Sequence, residues 1–103
     1  MNVAEGPPPT GEEVAALAET FRLLGDPTRL GILIACLDAA LPVAAIAART
    51  GASPSLVSHH LRLLRGARLV RGERRARQVF YSAADQHVRH MLADLIAHGR
   101  EED

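Results

Sequence analysis

The chain predicts a mainly α fold closed by one β-hairpin, and three observations carry that expectation. Helix-periodic apolar runs follow capping residues at Thr10, Asp26 and Ser53, and a further such run ends the chain. A short Ala-rich run, Leu41 to Arg49, leads through the tight turn Thr50-Gly51-Ala52 into the run Ser53 to Arg65, which is helix-turn-helix spacing. Two β-prone runs, Leu69 to Glu73 and Gln78 to Ser82, flank the basic stretch Arg74-Arg75-Ala76-Arg77, as a hairpin wing requires. The expected architecture is a winged helix-turn-helix in the order helix, helix, helix, helix, strand, strand, helix.

Residues 1–9 (MNVAEGPPP) read as a flexible, proline-stiffened arm, leaving 10–103 as a single domain. Thr10-Gly11-Glu12-Glu13 has the capping-box form and opens a helix from about Gly11 to Leu24, with Val14, Leu17, Ala18, Phe21 and Leu24 at helical spacing. Gly25 stops it, and Asp26-Pro27 caps and starts the next. There Leu30, Ile32, Leu33, Ile34, Leu37 and Ala40 are apolar nearly all round, which places this second helix at the centre of the core. Cys36 lies in that run and reads as a buried small hydrophobe, not a nucleophile.

In the run from Ser53, the serine can cap and Pro54 suits a first turn, where a missing N–H costs nothing. At about 100° per residue, Leu56, Val57, His60, Leu61, Leu63 and Leu64 form a broad inward face, while Ser55, Ser58, His59 and Arg62 cluster on the opposite side. Small hydroxyls let a helix sink into a groove, and Arg and His supply donors for base edges or phosphates. The candidate DNA contacts are therefore Ser53, Ser55, Ser58, His59 and Arg62, with Arg74, Arg75 and Arg77 of the wing on phosphates. His60 belongs to the packing of this helix. The bland alternative is a helical core with a solvated hairpin, but three arginines in a four-residue tip serve no packing purpose.

Composition sets the bounds. At 103 residues and 48% hydrophobic, the chain hides a limited core and gains from burying more surface in a homodimer. The formal net charge is zero, yet no acid occurs from Ala39 to Gly72, and seven of the twelve arginines lie between Arg62 and Arg77. Screening limits each charge to about 10 Å, so this local patch outweighs the neutral sum. One cysteine excludes a disulfide framework and a Cys-rich metal site. No signal peptide and no apolar run of about twenty residues is visible, which points to the cytoplasm with no membrane partner.

The last helix, expected from about Ala84 to His98, carries Val88, Met91, Leu92, Leu95 and Ile96 on one stripe. Beside it, His87, His90, Asp94 and His98 fall within about 80° of each other, flanked by Asp85 and Glu101. Imidazole and carboxylate suit zinc, nickel or cobalt. His87 and His98 are roughly 16 Å apart along one helix at 1.5 Å per residue, too far to share an ion. Antiparallel last helices in a dimer would solve this, joining Asp85 and His87 of one chain to His98 and Glu101 of the other. Asp85 must then sit in the entering turn. The alternative is a solvated polar edge beside a dimer seam.

The run Leu24-Gly25-Asp26-Pro27-Thr28-Arg29-Leu30-Gly31-Ile32-Leu33 resembles the ArsR/SmtB family of metal-responsive winged-helix repressors. The likeness continues through Ser55, Ser58, His60, Leu61 and Leu64 to Leu69-Val70 and the wing, covering about residues 14–101. Arg68 departs from it: relatives usually carry glycine after the recognition helix, and here Gly66 is available for that turn. The resemblance implies the C-terminal-helix sensor pattern, matched by Asp85, His87, His98 and Glu101. His90 and Asp94 read as surface residues or as supports of those ligands, and either could complete a six-coordinate nickel site. The family's other common site, a cysteine pair on the helix before the turn, is absent, since Val43-Ala44-Ala45-Ile46 stands there, which argues against thiolate sensing of arsenite or lead.

The expectation is a homodimeric regulator of a double-stranded DNA operator whose affinity is set by Ni2+ or Zn2+, with Co2+ also suited. A winged-helix regulator without metal sensing, or a metal-binding protein acting through a partner protein, remains open. An enzyme is the weakest reading, because no acid/base pair or Gly-rich phosphate loop is visible.

Overall fold

Four helices are started by side chains that close the free N–H groups of their first turns. In the computed structural model, which describes residues 6–101, α1 spans Gly11–Leu24, α2 Pro27–Ala35, α3 Val43–Thr50, α4 Pro54–Gly66 and α5 Gln86–Arg100. The Thr10 hydroxyl accepts from Glu13 N at 3.1 Å while Glu13 accepts from Thr10 N at 2.8 Å, the reciprocal box expected of that sequence. Asp26, Ser53 and Asp85 cap α2, α4 and α5 through Arg29 N, Leu56 N and Val88 N. Residues 1–5 of the expected arm lie outside the described residues, and 6–9 are exposed and outside any helix or strand.

The strands are β1 Leu41–Pro42, β2 Val70–Arg75 and β3 Gln78–Ala83, forming an antiparallel sheet in the order β1-β3-β2. The expected order held no strand before the third helix. Leu41 and Pro42 instead pair with Tyr81 and Phe80, so α3 begins two residues later than the Ala-rich run suggests. The second helix also ends early, at Ala35. Cys36 closes it, Leu37 packs in the core from the following turn, and Ala40 lies on the approach to β1.

The core gathers Ile32, Leu33 and Cys36 of α2 and its cap, Ile46 of α3, and Val57, Leu61 and Leu64 of α4 under the hairpin's Val70 and Ala83. Burial raises the Cys36 thiol to about 11, so it is inert at neutral pH. Two residues expected inside face out: Ile34 and, on the first turn of α4, Leu56. Arg68 takes the left-handed conformation at φ 61°, whereas Gly66 remains helical. The turn after α4 thus runs through the arginine, not the glycine, at a backbone cost of order 1 kcal/mol.

Candidate DNA interface and metal-ligand helix

Helix α4 is anchored by Val57, His60, Leu61 and Leu64, and that leaves Ser53, Ser55, Ser58, His59 and Arg62 exposed together on its outer side. His60 is 6% exposed. Its Nδ1 accepts from Arg29 Nε at 3.2 Å, and Arg29 Nη1 reaches back to the Leu23 carbonyl at 2.9 Å. A guanidinium only donates, so Nδ1 must be unprotonated and the imidazole neutral. Burial, then the Arg29 charge, holds the His60 pKa below its ordinary value. One arginine therefore ties the end of α1 and the start of α2 to the middle of α4. Sequence reasoning assigned His60 to packing but missed Arg29, because the partners are 31 residues apart and neither motif names the other.

The wing is tighter than its sequence suggests. Arg74 and Arg75 are strand residues opposite Val79 and Gln78, leaving Ala76-Arg77 as the turn, with Ala76 at φ 56°. Arg75 is also engaged inside the hairpin: Nη2 lies 2.9 Å from Glu73 Oε1, and its guanidinium carbon sits 4.8 Å from the Phe80 ring centre. The expectation that all three wing arginines lack a packing role thus fails for Arg75. Arg74, Arg75 and Arg77 are all exposed, so each keeps part of its charge toward solvent.

Along α5, the structure spreads the candidate ligands along the helix. Asp85 stands in the entering turn, as anticipated, and its Oδ1 accepts from Val88 N at 3.0 Å. His87, His90, Asp94 and His98 follow on the helix, and Glu101 is its C-cap with an N–H bonded to the His98 carbonyl. All six are exposed. Among the described residues, no three His, Cys, Asp or Glu side chains of one chain converge on a metal-sized point. On the neighbouring apolar stripe Leu92 is buried, Val88, Met91 and Ile96 are half-buried, and Leu95 is exposed.

A profile described as "Bacterial regulatory protein, arsR family" matches residues 26–71, from the cap of α2 into the wing. The chain is 40% identical over 92 residues to "Transcriptional repressor SmtB homolog" of Synechocystis sp., covering 89% of this chain and 70% of that protein. This protein belongs to the arsR family. Over 91 residues it is also 40% identical to "HTH-type transcriptional regulator NmtR" of Mycobacterium tuberculosis, with 88% of this chain and 76% of that one covered. The solution structure of "the cadmium metal-sensor CMTR" of the same organism superposes with a TM-score of 0.69 at 41% identity, over 84% of this chain and 90% of that one. The arsR-family chain is a DNA-binding transcriptional regulator and not an enzyme. Among the described residues, no helix is long and apolar enough to cross a membrane.

Proposed function

We propose that this regulator is a homodimeric repressor whose affinity for a DNA operator is set by a divalent transition metal ion held between the last helices of two protomers. The observation that carries this reading is the division of α5: Asp85 and His87 stand at one end, His98 and Glu101 at the other, on a helix flanked by unburied apolar side chains. Val14, Leu17 and Phe21 of α1 and Leu95 of α5 are about half exposed, an apolar surface that a second copy would cover. Two protomers give two equivalent sites, each with Asp85 and His87 from one chain and His98 and Glu101 from its partner. His90 and Asp94, on the same face, extend the donor set toward six-coordination.

The donors are nitrogen and oxygen, which fits nickel or zinc, and also cobalt. One relative is described as a cadmium sensor. Here the lone thiol, Cys36, is fully buried in the core, so a soft thiolate-preferring ion has no exposed ligand to favour it. An ion so held would cross-link the two protomers. Only an ion bound more tightly in one state of the dimer can shift DNA affinity, and a coupling of about 1 to 3 kcal/mol is usual for such linkage. By family likeness, occupancy weakens DNA binding.

On the DNA side, Ser53, Ser55, Ser58, His59 and Arg62 enter the groove while Arg74, Arg75 and Arg77 meet phosphates. The Ser53 oxygen accepts the Leu56 N–H, which leaves its O–H free to donate.

Mixed dimers decide the metal model. His87→Ala and His98→Ala homodimers should each lose both tight sites, while a dimer of one with the other regains one. Metal stoichiometry by competition with a chelator reads the result, and zero sites in the mixed dimer would remove the cross-chain model. Ligation needs neutral imidazole, so metal affinity should weaken in acid.

A further inference from the structure

At the edge of the outer stripe of α4 lies a notch that shares Ser58 and Arg62 with the stripe and extends beyond it to Arg65 and Tyr81. Ser58, Leu61, Arg62 and Arg65 recur at helical spacing on one ridge of α4, and together with Tyr81 of β3 they line a cavity of about 280 Å3. Buried Leu61 forms its floor, while Ser58, Arg62 and Arg65 are exposed. No carboxylate lines it, so neither guanidinium is neutralised there.

The sheet is built to bring Tyr81 to this place. Tyr81 lies on the central strand, opposite Gly72 of β2 and Leu41 of β1. A Cβ on Gly72 would stand 3.2 Å from Tyr81 Cε1 and 2.9 Å from Val79 Cγ1. Glycine at 72 therefore lets the Tyr81 ring and Val79 pack close against β2, and a side chain there would make both give way. A half-buried tyrosine places an apolar ring against the protein and a polar tip at the edge.

We propose that this notch seats one backbone phosphate of bound DNA, with Arg65 and Tyr81 as its ligands and Ser58 and Arg62 at its rim. The proposal rests on the reading of α4 and the wing as the DNA interface, and it adds two contacts to that surface. Two guanidiniums and two hydroxyls form a donor-rich set, which suits a phosphate oxygen; a base edge presents donors as well as acceptors and would find few acceptors here. The notch also joins the recognition helix to the hairpin, so a phosphate held in it fixes the register of both at once.

The test uses the full chain and a duplex that the wild type recovers from a random-sequence pool. Tyr81→Phe removes one hydroxyl and should weaken binding about tenfold with an unchanged salt slope. Arg65→Ala should flatten the plot of log K against log salt by roughly 1 unit per subunit. Single methylphosphonates scanned through the duplex should reveal one phosphate per half-site whose neutralisation weakens the wild type but not the Tyr81→Phe, Arg65→Ala double variant. Wild-type affinity and methylphosphonate pattern in Tyr81→Phe, alongside weakened binding by Arg74→Ala, would overturn the seat and leave the DNA interface standing. A wild type that recovers no duplex overturns both.

Discussion

Val57, Leu61 and Leu64 of α4 are at most 1% exposed, whereas Val14, Leu17 and Phe21 of α1 and Leu95 of α5 are between 49% and 56% exposed. The helix-turn-helix is largely finished within one chain: Ile46, Val57, Leu61 and Leu64 are buried, Ser53 caps α4, and Arg29 satisfies its one buried histidine. The outer helices are not. α1 packs on α2 and α5 on β3, and each still presents an apolar face. A reading head completed internally keeps its shape whatever surrounds it, while a surface completed only by another molecule can be altered by how that molecule docks. Regulation therefore has its natural place in α1 and α5.

The sharpest way to break this contrast is to cut each region once. Leu61→Ala should lower unfolding stability by about 3 kcal/mol in urea titrations, as expected for a leucine removed from a close-packed core. Phe21→Asp should leave monomer stability nearly intact, since that ring is half in solvent, yet abolish the dimer in sedimentation equilibrium. A Phe21→Asp protein that stays dimeric would show that α1 is not in the seam. Next in size, Arg62→Ala should weaken operator binding by roughly 1 to 3 kcal/mol if it reads a base, with fold and dimer unchanged. Unaltered affinity in a footprinting titration would take that face of α4 out of the groove.

Smaller effects probe the joints of the finished region. Arg68→Gly should raise stability by about 1 kcal/mol by relieving the left-handed backbone, measured as a rise in thermal midpoint. A lower midpoint would mean that the arginine side chain contributes more than its backbone costs. His60 supplies a pH dependence whose sign is fixed. Its folded pKa lies below the ordinary value, so its contribution is complete above about 6.5 and is lost as the pH falls from there toward the lowered folded value. In acid, protonation would set an imidazolium against the Arg29 guanidinium. Replacing His60 by Gln should flatten this part of the stability profile; a profile unchanged by the replacement would assign the acid loss to other groups.

What the sequence made legible was local. Thr10, Asp26 and Ser53 announce their helices because a cap is a bond between a side chain and a backbone N–H three residues on, a relation that one line of text contains. Asp85 was expected in the turn before α5 for another reason, the reach a shared site would need, and its cap to Val88 N went unread. Leu41-Pro42 escaped because two residues have no periodicity and become a strand only where Tyr81 and Phe80 lie beside them. Leu56 misled because the helical wheel ranks its direction inward, whereas on the first turn of α4 it remains exposed. The Arg75 contacts were hidden because the hairpin had to be drawn two residues longer before Glu73 and Phe80 came alongside. For the candidate metal ligands, spacing was readable, whereas among the described residues a single chain does not bring them together.

In the proposed metal site, Asp85 would combine two tasks that are separable at most ligand positions. One carboxylate oxygen holds the first turn of α5, and that turn carries His87. Losing the side chain would therefore remove a donor and loosen the histidine beside it, so an alanine variant reports helix fraying and lost ligation as one number. Asparagine keeps the cap with a weaker donor, and serine keeps the cap while shortening the reach. If the proposed site holds, a designer changing its ion preference would find His98 and Glu101 freer to vary than Asp85.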